Sequence, residues 1–355
     1  MVDRSNILKR GFQDIRLEDP FFDSLRASYS EFDVWFTKKA DQGEEAYVML
    51  DDSGSVQAFL YLKEETGPIN DIDPPLNTER CLKIGTFKIN AHGTKLGERF
   101  VKKVFDEALV GGFKHIYTTI FPAHEGLIDI LKKYGFNQYG SKTTENGIEK
   151  VFLKDLSDMS GSYLINYPVI DARKCNKWLL AIYPKWHTKL FPDSILNTEE
   201  SSIVDDLSET NSIHKVYIAW MRGMDQIRAG DCLLIYRTRE GDKSGWYSSV
   251  ATSICVVEDA RSRSSFADVD DLIEYAERHS VFNADELKRF YNTRPGMHVL
   301  KMTYNVALPK RPNRQKLVED AGIDGDVYAG FMKLTDDQFK RIVEMGQVYE
   351  GVVVH

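Results

Sequence analysis

The spacing of hydrophobic positions changes period several times along the chain, and each change marks an element. From Asp19 to Lys39 the apolar side chains fall at Phe22, Leu25, Tyr29, Phe32 and Phe36, which predicts a helix. Glu45 to Leu50 and Val56 to Lys63 are short apolar-rich runs separated by Asp51-Asp52-Ser53-Gly54-Ser55, a hairpin signature. A breaker-rich loop with Pro68, Pro74 and Pro75 follows. Cys81 to Ile89 then alternates as a strand and runs into His92-Gly93-Thr94-Lys95-Leu96-Gly97-Glu98. Leu96, Phe100, Val104, Phe105, Ala108 and Leu109 form a helical stripe that stops at Gly111-Gly112. His115 to Phe121 reads as a strand, Leu127 to Tyr134 as a helix closed by Gly135, and Glu149 to Leu153 as a last strand. Helix, hairpin, strand, glycine turn, helix, strand, helix, strand is the order of an α/β layer.

Beyond Ser157 to Ser162, a short polar linker, the pattern becomes richer in strands. Trp178 to Ile182, Val216 to Trp220, Cys232 to Arg237, Val250 to Val257 and Val299 to Tyr304 are the runs, with a helical insertion around Val269 to Tyr291. Short strands with turn signals predict a small mixed barrel. A length of 355 residues suits two cores better than one.

Composition narrows the function. At 42% hydrophobic and 28% charged residues the chain has a globular balance, and no apolar run approaches a membrane span. The first residues, Met-Val-Asp-Arg-Ser-Asn, lead into no apolar signal segment, so a cytoplasmic location is expected. The four cysteines are far apart in sequence, which favours reduced thiols over a zinc site or disulfide framework. No His-x-x-x-His pair suggests a metal hydrolase. Net charge is −8, against salt-driven nucleic-acid binding over the whole surface. The sign is nevertheless segregated: Arg173, Lys174, Lys177, Lys185 and Lys189 face only Asp171 across 161–190, Asp193 to Glu209 holds acids alone, and 301–318 holds bases alone. Such runs are either solvated faces or local phosphate patches, and both readings stand.

The strand–turn–helix at 81–110 resembles the GNAT superfamily of acetyl-coenzyme A-dependent N-acetyltransferases. There the turn after the fourth strand reads Arg/Gln-x-x-Gly-x-Gly/Ala, and its amides hold the pyrophosphate of the cofactor. His92 takes the first position here, Lys95 the central glycine position and Gly97 the last, with Gly93 after His92. The Gly135-Phe136 pair closes the helix after the fifth strand, as in the family. Its Asn position is His124, and Leu131 stands where the family has the tyrosine that protonates the departing thiolate. The resemblance implies acetyl-CoA held by Phe87 and Ile89 on the freed edge of the fourth strand, by the turn His92, Gly93, Thr94, Lys95, Leu96, Gly97 and Glu98, and by His124. It leaves the general base unnamed; Glu64, Glu65 and Glu79 flank the expected acceptor cleft. Tyr134 and Tyr139 are candidate substitutes for the missing acid, with core or surface packing the alternative for each.

The C-terminal part resembles PUA-like domains of the ASCH and EVE kind, on Gly230-Asp231-Cys232-Leu233-Leu234-Ile235-Tyr236-Arg237-Thr238 and the strand ending Cys255-Val256-Val257-Glu258. That resemblance implies a pocket for RNA or a modified base. In Tyr183 to Asp193 aromatic rings interleave with lysines, offering stacking faces beside phosphate-binding charges. Lys185, Trp186, His187, Lys189, Tyr236, Arg237 and Trp246 are therefore the candidate nucleic-acid residues; packing of the rings with solvated lysines is the alternative. Together the resemblances imply a GNAT mixed α/β sheet with flanking helices over 1–156, a linker over 157–162, and a PUA-like small β-barrel with helical insertions over 163–355. The expected activity is acetyl transfer from acetyl-CoA to an amine associated with RNA. A protein amine and a degenerate acetyl-CoA sensor are the alternatives.

Overall fold

The computed structural model describes residues 7–90, 96–191, 212–239, 241, 244–276, 279–327 and 330–355. It divides into two compact units, Met1–Asn166 and Tyr167–His355. Residues 157–162, expected as a linker, therefore fall in the first unit, where Asn166 Nδ2 donates to the Gly161 carbonyl at 2.9 Å.

The first unit is built on a seven-stranded mixed sheet. Its strands are β1 (Leu8–Gly11), β2 (Glu45–Leu50), β3 (Val56–Thr66), β4 (Arg80–Ile89), β5 (His115–Ile120), β6 (Asn137–Thr144) and β7 (Gly147–Asp155), in the order β1-β2-β3-β4-β5-β7-β6. All neighbours are antiparallel except β4 and β5, which run parallel. The helix expected over Asp19–Lys39 is two helices, α1 (Asp23–Ser28) and α2 (Phe32–Asp41), because Tyr29 between them is extended at φ −135°. The helices α3 (Leu96–Gly111) and α4 (Glu125–Lys133) follow β4 and β5, and the single turn α5 (Tyr163–Asn166) ends the unit.

Alternation along β3 sorts the core. Phe59 and Tyr61 point to one face and pack with Phe12, Phe22, Phe32 and Phe36 in an edge-to-face aromatic cluster. Ala58 and Leu60, also buried, point to the other face.

The second unit is organised by a six-stranded sheet, β10 (His214–Ala219), β13 (His298–Ala307), β12 (Val250–Ser262), β11 (Cys232–Arg237), β9 (Lys177–Ile182) and β14 (Phe331–Leu334), hydrogen-bonded in that order. Where a small barrel is expected, no pairing among the described residues joins β14 to β10. The long β12 carries two register breaks against β13, at Ile254/Cys255 and Val257/Asp259, so its two ends need not share one plane. A two-stranded pair joins β8 (Ile170–Asp171) to β15 (Val353–Val354). The helices are α6 (Pro184–Leu190), α7 (Gly245–Ser248), α8 (Val269–Ala276), α9 (Ala284–Thr293), α10 (Arg314–Glu319) and α11 (Asp336–Met345). The insertion expected as one helical stretch is thus α8 and α9, the second opened by an Asn283–Glu286 capping box.

The Gly-Asp turn before β11 has a structural reason. Gly230 sits at φ +89°, which a side chain would strain. Asp231 is 3% exposed and accepts from four donors: the Asn176 and Arg228 backbone N–H groups, Asn176 Nδ2 and Trp178 Nε1, at 2.8–3.1 Å. It ties the start of β9 to the start of β11. Truncating it would orphan the buried Trp178 Nε1 donor at roughly 1–3 kcal/mol.

Candidate functional sites

The neighbours β4 and β5 pair only over Leu82–Ile84 and Ile116–Thr118. Beyond that, β4 continues to Ile89 with β3 as its partner, and its other edge faces no strand among the described residues. The parting point is specified locally. Thr118 Oγ1 donates to the Ile84 carbonyl at 3.0 Å, closing the last rung. Gly85 is a bulge: Ile84 pairs with Leu62 and Thr86 with Tyr61, leaving Gly85 unmatched. A Cβ at residue 85 would lie 2.8 Å from the Tyr61 ring, so glycine lets bulge and aromatic core coexist.

A cavity of about 320 Å³ fills the gap. Its β4 wall is Lys83 to Phe87 and its β5 wall Thr118 to Ile120, with His124 and Leu127 at the start of α4. Tyr29, Phe32 and Trp35 close another side, and Glu31 and Glu149 bring carboxylates. Glu149 on β7 is only 5% exposed, and its Oε1 accepts from the Tyr29 hydroxyl at 2.7 Å. Burial, with that hydrogen bond to Glu149, pushes the Tyr29 phenol far above its usual range, so it stays protonated and donating. Lys83 also borders the cavity, and burial lowers its ammonium below the usual range although Glu65 is 3.6 Å away.

The sequence-predicted residues distribute unevenly around this gap. Phe87 and His124 line it; Ile89 lies on the same free length of β4. His92, Gly93, Thr94 and Lys95 lie outside the described residues. Leu96 is buried. At Gly97 a Cβ would meet Ile130 Cδ1 at 2.9 Å, so this glycine serves the close packing of α3 on α4. Glu98 is engaged by Lys133 Nζ at 2.5 Å and by the Tyr134 hydroxyl at 3.0 Å. Tyr134 is otherwise core, edge-on to Phe105, and Tyr139 donates to the Pro75 carbonyl; neither lines the cavity. Nor do Glu64, Glu65 and Glu79. Glu64 pairs with Arg80, and Glu65 is held by Tyr117, Lys63 and Lys83. Sequence reading missed Tyr29 and Glu149, which meet across 120 positions. The one available signal was the polar Glu149 opening a strand otherwise rich in apolar residues.

A larger cavity of about 870 Å³ lies in the second unit. Trp186, Phe282, Phe290 and Trp220 form a continuous aromatic wall, with successive ring centroids 4.7, 5.1 and 5.4 Å apart. Tyr183, 65% exposed, and Trp220, 42% exposed, offer ring surface, and Arg239, Arg289 and Arg314 add charge. Trp186 and Tyr236 line this cavity, and the exposed Lys185 ammonium lies 4.4 Å from the Trp186 ring centre. The other candidates sit differently. Lys189 is half-buried on α6, Trp246 is half-buried on α7 outside the lining, and Arg237 is buried in β11. His187 is fully buried, its Nε2 2.8 Å from Thr252 Oγ1. It is a core residue where a ligand-facing one was a candidate.

No helix among the described residues is long and apolar enough to cross a membrane, and no group of three metal-ligating side chains occurs among them. No family model and no curated protein matches the sequence. Solved structures similar to parts of the chain include ASCH from Zymomonas mobilis, at 10% identity over 48% of this chain and 94% of that one, TM-score 0.33. A GNAT superfamily phosphinothricin acetyltransferase from Sinorhizobium meliloti, in complex with AcCoA, matches at 14% identity over 42% and 88%, TM-score 0.31. An N-acetyltransferase from Staphylococcus aureus matches at 15% over 42% and 98%, TM-score 0.31.

Burial, then the charges of Arg237 and Arg311, lowers the His187 pKa from 6.5 to about 3. The unfolded chain therefore binds a proton that the folded one refuses between these values, and this site costs stability as pH falls from 6.5. His187→Gln should remove that part of the slope. Unfolding midpoints at pH 7.5 and pH 5 should show wild type losing more stability than the variant across this interval, and equal losses would contradict a neutral buried imidazole.

Proposed function

We propose that the first unit is an acetyl-CoA-dependent N-acetyltransferase acting by direct transfer. The observation that carries this reading is the parting of β4 from β5 at the Gly85 bulge, which presents backbone polar groups to a cavity. Main-chain N–H and C=O groups without a strand partner need hydrogen bonds, and the amides of a pantetheine arm supply them in an extended geometry. The thioester then lies between the strands, an N–H of β4 polarises its carbonyl, and the acceptor amine attacks the carbonyl carbon. Glu149, its Oε1 held by Tyr29, takes the proton the amine loses. Leu131 offers no hydroxyl to the leaving thiolate, which departs to solvent without a dedicated tyrosine donor.

The acceptor we infer is an amine carried by RNA, with the second unit as its reader. The support is the aromatic wall with arginines at its rim, a combination that stacks bases and holds phosphates. Because the whole chain is anionic, binding rests on a few local contacts and has a shallow salt dependence. A protein amine acceptor is the alternative that the same assay separates.

For the transferase reading, titration calorimetry of the full chain with acetyl-CoA should show binding, and label from acetyl-CoA should enter an acceptor in cell extract. Glu149→Gln should keep the binding and lose about 10²–10⁴-fold in transfer rate. Binding without any transfer by wild type points to a sensor, label in protein to the alternative acceptor, and no binding ends the reading.

For the reader, Tyr183→Ala and Trp220→Ala remove exposed rings and spare the core. Each should weaken RNA binding by about 1–3 kcal/mol in a fluorescence titration at low salt. Lys185→Ala should weaken it independently of sequence and flatten the salt slope. A folded protein that binds no RNA at low salt would overturn the reader.

A further inference from the structure

The second unit contains a pair of thiols placed by rigid structure. Cys175 lies just before β9 and Cys232 opens β11. The two strands are parallel neighbours, with Cys232 opposite Lys177, and the Cys232 N–H donates to the Asn176 carbonyl at 2.9 Å. Asp231, adjacent to Cys232, accepts from both the backbone and the side chain of Asn176, adjacent to Cys175. Each cysteine is thus fixed through its neighbour to the same carboxylate, and the two sulfur atoms stand 3.1 Å apart. Cys232 is buried, whereas Cys175 is half-buried and lines an open cavity of about 550 Å³ with Arg173, Lys177 and Lys333. Small polar reagents can reach one sulfur and not the other.

We propose that Cys175 and Cys232 form a hydroperoxide-reactive dithiol, with Cys175 as the attacking sulfur and Cys232 as the resolving one. The Cys175 thiolate attacks the terminal oxygen of the hydroperoxide, breaking the O–O bond. The released alkoxide, or hydroxide from hydrogen peroxide, takes up the thiol proton and leaves as alcohol or water, with Cys175 a sulfenic acid. The Cys232 sulfur then attacks the Cys175 sulfur. The S–OH bond breaks, its oxygen leaves as water with the Cys232 proton, and a disulfide remains. Two electrons pass from the two thiols to one peroxide, so no further reactant is needed.

The electrostatics divide the roles in the same sense. A hydrogen bond from Cys232, outweighing desolvation and helped by the Lys177 ammonium, holds the Cys175 thiol below its usual range. The same hydrogen bond together with burial raises Cys232. The outer thiol is therefore the easier of the two to deprotonate and the inner one the harder, the order an attacking and a resolving thiol require. The remaining two cysteines are poor competitors: burial pushes Cys81 up to about 11 and Cys255 higher still.

The test is peptide mapping of the full chain, reduced, desalted, treated with near-stoichiometric hydrogen peroxide and alkylated. The expected product is a Cys175–Cys232 cross-linked peptide that dithiothreitol reverses, with Cys81 and Cys255 alkylated as in the untreated protein. Cys232→Ser should leave a Cys175 sulfenic acid that dimedone traps. Oxidation of all four cysteines at one rate, or Cys175 sulfinic acid in wild type without a cross-link, would overturn the proposal. The wild-type map decides even where the variant fails to fold.

Discussion

The parting of two parallel strands is the constraint on which the first unit turns. A strand edge inside a protein is a row of unpaid hydrogen-bonding groups, and a fold tolerates one only where something else supplies partners. Here the Thr118 side chain ends the β4–β5 ladder at Ile84, and the next residue, Gly85, bends the strand away. The bulge is compatible with the core because glycine leaves room for Tyr61, which belongs to the aromatic cluster under α2. One small residue thus links the aromatic core to the opening, and the carboxylate of Glu149 with its Tyr29 partner stands at that opening.

In the second unit a buried carboxylate has the corresponding role. Asp231 gathers donors from two chain segments, Asn176–Trp178 and Arg228, at the place where β9 and β11 begin side by side. Such a node is costly unless every donor is satisfied, and full satisfaction makes it specific to one register. The register places Trp178 flat on Phe331 of β14, with centroids 4.9 Å apart, and it sets Cys175 against Cys232. The aromatic cavity uses other ends of the same strands, through Ala181 of β9 and Tyr236 of β11. The aromatic cavity is therefore separated along the strands from the Asp231 node and the thiol pair beside it.

What the sequence discloses follows from how local the cause is. The hairpin of β2 and β3, the strand β4, and helices α3 and α4 are written in period and punctuation, and the structure has them within a few residues. Strand β6, Asn137–Thr144, has no buried face and hence no alternation to read. Tyr29 fits the helical stripe on either side of it, so its break could not be seen; its hydroxyl is committed to a strand far along the chain. His187 illustrates the opposite failure. It sits among lysines and aromatics in sequence, yet the first turn of α6 turns it inward onto Thr252, while Lys185 and Tyr183 face out. Phe87 and His124 were legible through family resemblance because they sit at the ends of elements that the pattern defines.

The central claim is that the free edge of β4 is the binding surface for acetyl-CoA. Amide hydrogen exchange of the full chain, with and without saturating acetyl-CoA, reads that edge directly. The amides of Gly85–Ile89 that point away from β3 should exchange readily in the free protein and become protected with the cofactor, while strands of the second unit keep their rates. Unchanged exchange of those amides at saturating acetyl-CoA would contradict the account.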